Sequence, residues 1–396
     1  MAYIHNKLFF IIKICICQIY VINLYLKMNA LYIQNSSYIC PMKTQHIIYT
    51  GFAQNMSKIS NSSVDLVVTS PPYPMIEMWD GIMCNQNAEI RSALDSNNAI
   101  LAFELMHKEL DKVWQECFRV LKDGAIICIN IGDATRTMNG KFALYPNHSR
   151  IISSLIKIGF TNLPNIIWRK QTNAPNKFMG SGMLPTGAYV TLEHEWILVF
   201  RKGDKREFKT AEDKLLRRNN SFFWEERNVW FSDMWEIKGT KQTISNIKDR
   251  DRSAAFPLEI PYRLINMYSL QGDTILDPFV GTGTTALAAV MTQRNSIGCE
   301  IDADLVAIAT DNIISLSIDQ ANEMIDKRIS DHNQFVDERA KKKDIKHFNL
   351  NLNMPVITSQ ETDIKFSYLS EITAEKRNKI VATYIEKSNS SKEELY

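Results

Sequence analysis

Thr69-Ser70-Pro71-Pro72-Tyr73 places a hydroxyl, a stiff backbone turn and an aromatic ring within five residues. Two successive prolines lack N–H donors and cannot continue a central strand, so they force an abrupt exit from Val64–Thr69, an apolar run that reads as a buried strand. Ligands of open α/β sheets bind at such strand ends. An exocyclic amine on a base is a poor nucleophile because its lone pair is delocalised into the ring. Ser70 Oγ and a main-chain carbonyl near Pro71 could accept its two N–H bonds and favour a pyramidal nitrogen, while Tyr73 stacks on the base. A duplex base must first be flipped out, and stacking offsets part of that cost of roughly a few kcal/mol. A plain two-proline turn is the blander alternative for these residues taken alone.

The second constellation is Asp277-Pro278-Phe279-Val280-Gly281-Thr282-Gly283-Thr284-Thr285. It lies between a short strand and a helix. Its glycines let the backbone approach a ligand without a Cβ clash, and the helix N-terminus suits a carboxylate. Asp277 is placed to meet an ammonium. Together they suit the zwitterionic end of S-adenosylmethionine. About twenty residues later Glu300 ends the next strand, at the offset where an acid takes ribose hydroxyls. A nicotinamide dinucleotide site is the rival, since Gly281, Gly283 and Ala286 fit its fingerprint. Asp277 would then face a pyrophosphate, and the Ser70–Tyr73 segment would be unexplained.

These loops need a sheet to hold them. Short β-branched runs alternate with amphipathic segments, which predicts an α/β fold. Strands are expected at 46–50, 64–69, 125–131, 165–168, 195–200, 274–276 and 296–298. Met106, Leu110, Val113, Trp114, Cys117, Val120 and Leu121 mark one face of a helix. Helices are also expected at 151–158, 257–269 and 284–293. Beyond Asp319 the chain reads as a helical appendage followed by a disordered tail, with Lys341–Lys343 on a solvated face.

Composition narrows the classes. The 396 residues are 45% hydrophobic and 23% charged, with a net charge of only +2, so any basic surface must be local. The seven cysteines form no C-x-x-C pair and none follows a proline. That predicts free thiols in a reducing, cytoplasmic setting, no metal site, and no Pro-Cys nucleophile for attack on cytosine C6. Leu8–Leu26 is apolar but broken by Lys13, Gln18 and Asn23. It is a poor signal or membrane span, and residues 1–41 are expected to be a non-native or disordered extension, with the start at Met28 or Met42.

The order of the two motifs resembles the β-order DNA amino-methyltransferases, in which the catalytic motif precedes the cofactor motif. Arg119–Leu121, Ile129–Asp133, His194–Phe200 and Phe256–Glu259 also match, and the resemblance covers roughly Met42–Asn312. It implies a Rossmann-like S-adenosylmethionine-dependent methyltransferase sheet with circularly permuted motif order and an inserted target-recognition region. The implied units are 42–200 for the catalytic half, 201–255 for target recognition and 256–318 for the cofactor half, with 319–396 appended. It implies catalytic roles for Ser70, Pro71, Pro72 and Tyr73. Asp277, Pro278, Phe279, Gly281, Thr282, Gly283, Thr284 and Glu300 would hold the cofactor, with Phe256 and Pro257 touching it. The family usually has Gly-Asp after the first strand, where this chain has Gly51-Phe52, which removes one acceptor for the cofactor's adenine.

Adenine enzymes of that family typically carry Asp or Asn before the prolines and cytosine-N4 enzymes Ser, so Ser70 points to N4 of cytosine. N6 of adenine is the alternative. A glutamine or RNA methylase and a degenerate DNA binder are the more distant ones. Residues 201–252 carry fourteen Lys and Arg against ten Asp and Glu, interleaved with aromatics. Lys214, Arg217, Arg218, Lys238 and Lys241 are candidate phosphate contacts on double-stranded DNA, and the loop 172–191, with Arg169, Lys170 and Lys177 nearby, is another approach. The implied setting is protection against a partner restriction endonuclease, without a stable complex and without a membrane.

Overall fold

Val64–Thr69 is buried at all six positions, as a strand covered on both faces must be. It sits near the middle of an eleven-stranded sheet. The computed structural model describes residues 42–170, 179–239, 256–376 and 379–386. The sheet strands in chain order are β1 (Met42–Thr50), β2 (Val64–Thr69), β3 (Leu121–Ile131), β4 (Phe160–Asn162), β5 (Ile166–Arg169), β6 (His194–Lys202), β7 (Met234–Glu236), β8 (Thr274–Asp277), β9 (Asn295–Glu300), β10 (Ser367–Lys376) and β11 (Lys379–Glu386). The helices are α1 (Asp80–Gln86), α2 (Ala88–Asp95), α3 (Ala99–Val120), α4 (Asn147–Ile158), α5 (Ala211–Asn219), α6 (Trp224–Trp230), α7 (Glu259–Tyr268), α8 (Thr284–Met291), α9 (Ala303–Ile314) and α10 (Ile318–Ala340).

The strand order is β7-β5-β6-β3-β2-β8-β9-β1-β11-β10, and β4 also pairs with β6. β3, β2, β8, β9 and β1 are parallel, and β6 runs antiparallel to β3. The chain crosses from β2 to β3 on one side and from β8 to β9 on the other. The neighbours β2 and β8 therefore form the switch point, where a crevice opens beyond their C-terminal ends.

α3 shows why the predicted helix forms. Asn98 caps it by accepting the Leu101 N–H at 3.2 Å, and Met106, Leu110, Val113, Trp114 and Cys117 are buried against the sheet. Full burial of each large apolar side chain contributes roughly 1.5–3 kcal/mol. At its end Arg119 donates to the carbonyls of Met56 (2.8 Å) and Ile59 (3.0 Å), fixing the loop between β1 and β2. β3 starts at Leu121, earlier than expected, because Gly124 bends within it. Its φ is +84°, and a Cβ there would lie 2.6 Å from the Arg206 nitrogen, so no side chain fits.

The expected C-terminal appendage departs most from the structure. α10 is present, but β10 and β11 form a hairpin that joins the sheet next to β1. Tyr384 OH donates to the Val290 carbonyl at 2.7 Å and lies 3.0 Å from Thr44 Oγ1, both partners being buried. In Lys379–Glu386 the apolar residues Ile380, Val381, Ala382 and Tyr384 are buried, and the flanking Lys and Glu mask the strand. Within 201–239 the chain also joins the sheet. Arg201 and Lys202 finish β6, and β7 extends the sheet beside β5. Cys84, Cys117, Cys128 and Cys299 are buried free thiols. Among the described residues no helix is long and apolar enough to cross a membrane. The readings of 1–41, Lys177 and Lys241 lie outside the described residues.

Candidate active site

The ends of β2 and β8 are tied together. Thr69 Oγ1 donates to Asp277 Oδ1 at 2.6 Å, joining two motifs 208 residues apart in sequence. Both open into one cleft of about 1690 Å³, lined by Ser70, Pro71, Pro72 and Tyr73 on one side. Asp277, Pro278, Phe279, Gly281, Thr282, Thr284 and Glu300 line the other, with Phe256. Ligand pockets usually hold roughly 300–1,000 Å³, so this one has room for a nucleoside cofactor and a second base. Pro257 and Gly283 do not line it. Pro257 is buried and accepts the Ile260 N–H at 3.0 Å, while Gly283 packs on Ala309.

The cofactor side is built on carboxylates. Burial pushes Asp277 up to about 6, against the opposing bonds from Thr69, Thr285 and the Phe279 N–H. Burial also raises Glu300, which accepts from Gly281 N–H at 2.9 Å and Asp302 N–H at 3.1 Å. A buried and a half-buried carboxyl facing one cleft call for a cation. S-adenosylmethionine, with an ammonium and a sulfonium, fits that demand, and its carboxylate suits the N-terminus of α8. Gly281 has φ +53° and nothing within 4 Å of a built Cβ, so the loop is open to a ligand there. Beneath the loop, a Cβ on Gly298 would lie 2.2 Å from Val280 Cγ2. Phe52 lines the same cleft and is 53% exposed. Phe52→Asp, which restores the missing acceptor, is expected to tighten cofactor binding about tenfold by calorimetry, the worth of one hydrogen bond; unchanged affinity would mean the adenine does not reach this position.

On the opposite wall Tyr73 is the hub. Its hydroxyl donates to Glu195 Oε2 at 2.9 Å, accepts from Asn130 Nδ2 at 2.8 Å and lies 3.2 Å from Ser70 Oγ. Asn130 also donates to Glu195 at 2.7 Å, and Lys170 forms an ion pair with the other Glu195 oxygen. Burial and the Glu195 charge hold the phenol proton on, raising Tyr73 above the ordinary tyrosine range. The ring packs on Gly132, where a Cβ would lie 3.0 Å from Tyr73 Cε2. Glu195 and Asn130 were not singled out as site residues from the sequence, and Lys170 only as a neighbour of a loop approaching DNA. The available signal was one carboxylate beginning the otherwise apolar strand Glu195–Phe200.

The candidate DNA contacts divide. Lys214, Arg217 and Arg218 lie on α5, which is anchored at the N-terminal ends of the parallel strands. Arg206 pairs with Asp273 just before β8, and Asn220 accepts from Gln271 and Arg294. The cleft is at the other ends. Arg218 pairs with Asp363 at 3.1 Å, and Arg217 lies over Phe208. Lys238 instead follows β7 on the cleft's side of the sheet, exposed, next to the Ile237 carbonyl that accepts from the cleft-lining Trp168. Lys170 lines the cleft itself.

Comparison with known proteins agrees with this geometry. Residues 64–311 match the N6/N4 methyltransferase family model, described as DNA methylase. The chain is 49% identical to the type II methyltransferase M.MthZI of Methanothermobacter thermautotrophicus, over 83% of this chain and 91% of that one. It is 52% identical to M.MjaI of Methanocaldococcus jannaschii, over 68% of this chain and 91% of that one. The structure of the DNA modification methylase TTHA0409 of Thermus thermophilus, complexed with S-adenosyl-L-methionine, superposes with a TM-score of 0.53. It is 31% identical and covers 68% of this chain and 93% of that one. With both motifs on one cleft, this chain belongs to the N6/N4 family of S-adenosylmethionine-dependent DNA methyltransferases.

Proposed function

We propose that the protein methylates N4 of cytosine in double-stranded DNA and protects its site from a partner restriction endonuclease. The observation that carries the choice of base is Ser70, a neutral hydroxyl where adenine enzymes of the family typically carry Asp or Asn. Bound S-adenosylmethionine supplies an electrophilic methyl group. Ser70 and a carbonyl near Pro71 hold the target amine, and Tyr73 supports the flipped base. Asp277, Glu300 and the start of α8 hold the cofactor. The type II designation of M.MthZI and M.MjaI supports the restriction–modification setting. Phosphate contacts fall to the cleft edge, with Lys238 the described candidate. Lys214, Arg217 and Arg218 would serve only a duplex that reaches the opposite edge.

The test is mass spectrometry of nucleosides from plasmid DNA incubated with the protein and methyl-labelled S-adenosylmethionine. Labelled N4-methylcytosine is expected. Labelled N6-methyladenine would overturn the choice of base while keeping the amine chemistry.

A further inference from the structure

We propose that Glu195 is the terminal proton acceptor of the reaction, reached from the target amine through Ser70 and Tyr73. The inference rests on Ser70 holding the amine, but not on which base carries it.

Hydrogen-bond direction makes the case. Tyr73 has one hydroxyl hydrogen, and it goes to Glu195 Oε2 at 2.9 Å. Asn130 Nδ2 can only donate, and it reaches Tyr73 OH at 2.8 Å. The 3.2 Å contact between Ser70 and Tyr73 must then have Ser70 as donor. That leaves Ser70 Oγ with only lone pairs to offer, which is what an amine N–H requires. The chain amine, Ser70, Tyr73, Glu195 is thus polarised in one direction and ends on a carboxylate.

Methylation leaves the amine nitrogen positively charged with one proton in excess. Its N–H bond breaks as Ser70 Oγ takes the proton and Ser70 passes its own to Tyr73 OH. Tyr73 passes its own to Glu195. One N–H bond is exchanged for one carboxyl O–H bond, and neither an alkoxide nor a phenolate forms. The positive charge on the base and the negative charge on Glu195 disappear together. The high proton affinity of Tyr73, which disfavours a phenolate, is compatible with such a concerted relay. Among the described residues, the titratable groups bonded to Glu195 are Tyr73 and Lys170. Once Glu195 is neutral, the Lys170 ammonium favours releasing the proton again, and Lys170 is 41% exposed, which gives the proton a way to water.

Glu195 acts through other residues, so the test must separate relay from scaffold. Glu195→Gln keeps the acceptor for Tyr73 but cannot take the proton, and Tyr73→Phe keeps the ring but breaks the chain. Each is expected to slow single-turnover transfer about 100-fold, the lower end for general acid–base catalysis, with cofactor affinity unchanged. The double variant is expected to be no slower than the slower single one, because both cut the same chain. In the ligand-free protein, 3-fluorotyrosine at position 73 should titrate at lower pH when Glu195 is Gln, read by fluorine NMR.

Multiplicative losses in the double variant, or a 3-fluorotyrosine titration unmoved by Glu195→Gln, would overturn the relay. If Glu195→Gln fails to fold, Tyr73→Phe decides alone: wild-type transfer with phenylalanine overturns the proposal. A wild-type protein that labels adenine leaves the relay standing. One that labels no base removes the amine assignment beneath it.

Discussion

Replacing Ser70 and Tyr73 together with alanine is expected to abolish methyl transfer, by at least about 1,000-fold in single turnover, while cofactor affinity stays within about twofold. The substitution removes the hydroxyl aimed at the amine, the ring that supports the flipped base and the link to Glu195. It leaves the cofactor wall intact, since Asp277 is held by Thr69 rather than by Ser70. Labelled-methyl incorporation and calorimetry read the two halves separately. Turnover within tenfold of wild type would reject the site. Loss of cofactor binding as well would show that the two walls are not independent, and Ser70→Ala alone would then locate the chemistry.

Asp277→Asn should do the reverse, and its pH dependence is specific. The group is raised to about 6 from 3.8, chiefly by burial. Below about pH 6 it is protonated and offers no charge to an ammonium. Wild-type cofactor affinity should therefore be flat above pH 6 and fall about tenfold per unit below it, whereas the Asn variant should be flat and about 100-fold weaker at pH 7.5, the loss of one charge-assisted bond. Stability moves the other way. A carboxyl raised in the folded state stabilises the fold most below its unfolded value, and that advantage is lost as pH rises from about 3.8 through 6. At neutral pH the ligand-free Asn variant should then be more stable by up to about 3 kcal/mol. Melting curves with and without S-adenosylmethionine would show it: a higher melting point alone, and little further gain on adding cofactor. A cofactor affinity that persists in the Asn variant would remove Asp277 from the ammonium site.

Both walls of the cleft could be read from the sequence because each motif is local. Pro71-Pro72 and Gly281-x-Gly283 dictate their backbones within a few residues, and the flanking apolar runs mark buried strands. The network behind the catalytic wall was not local: Tyr73 meets Asn130 and Glu195 across gaps of 57 and 122 residues, set by the register of β3 and β6. No pattern along the chain announces that pairing. The basic segment left its placement open for a related reason. Charge counts say that Lys214, Arg217 and Arg218 are exposed, but Arg206 and Asn220 decide which end of the sheet they face. The C-terminal hairpin was hidden by composition, since the Lys and Glu of its strands resemble those of a solvated helix.

That hairpin also governs how the protein can fail. With β11 beside it, β1 is an interior strand. Peeled away by a nick, a truncation or a transient opening, the hairpin would leave a run of unsatisfied amides and carbonyls along β1, next to the strand that ends in Glu300. A bare edge of that kind pairs with whatever extended chain it meets, including another copy of itself. The β10–β11 hairpin would thus guard β1 against self-association.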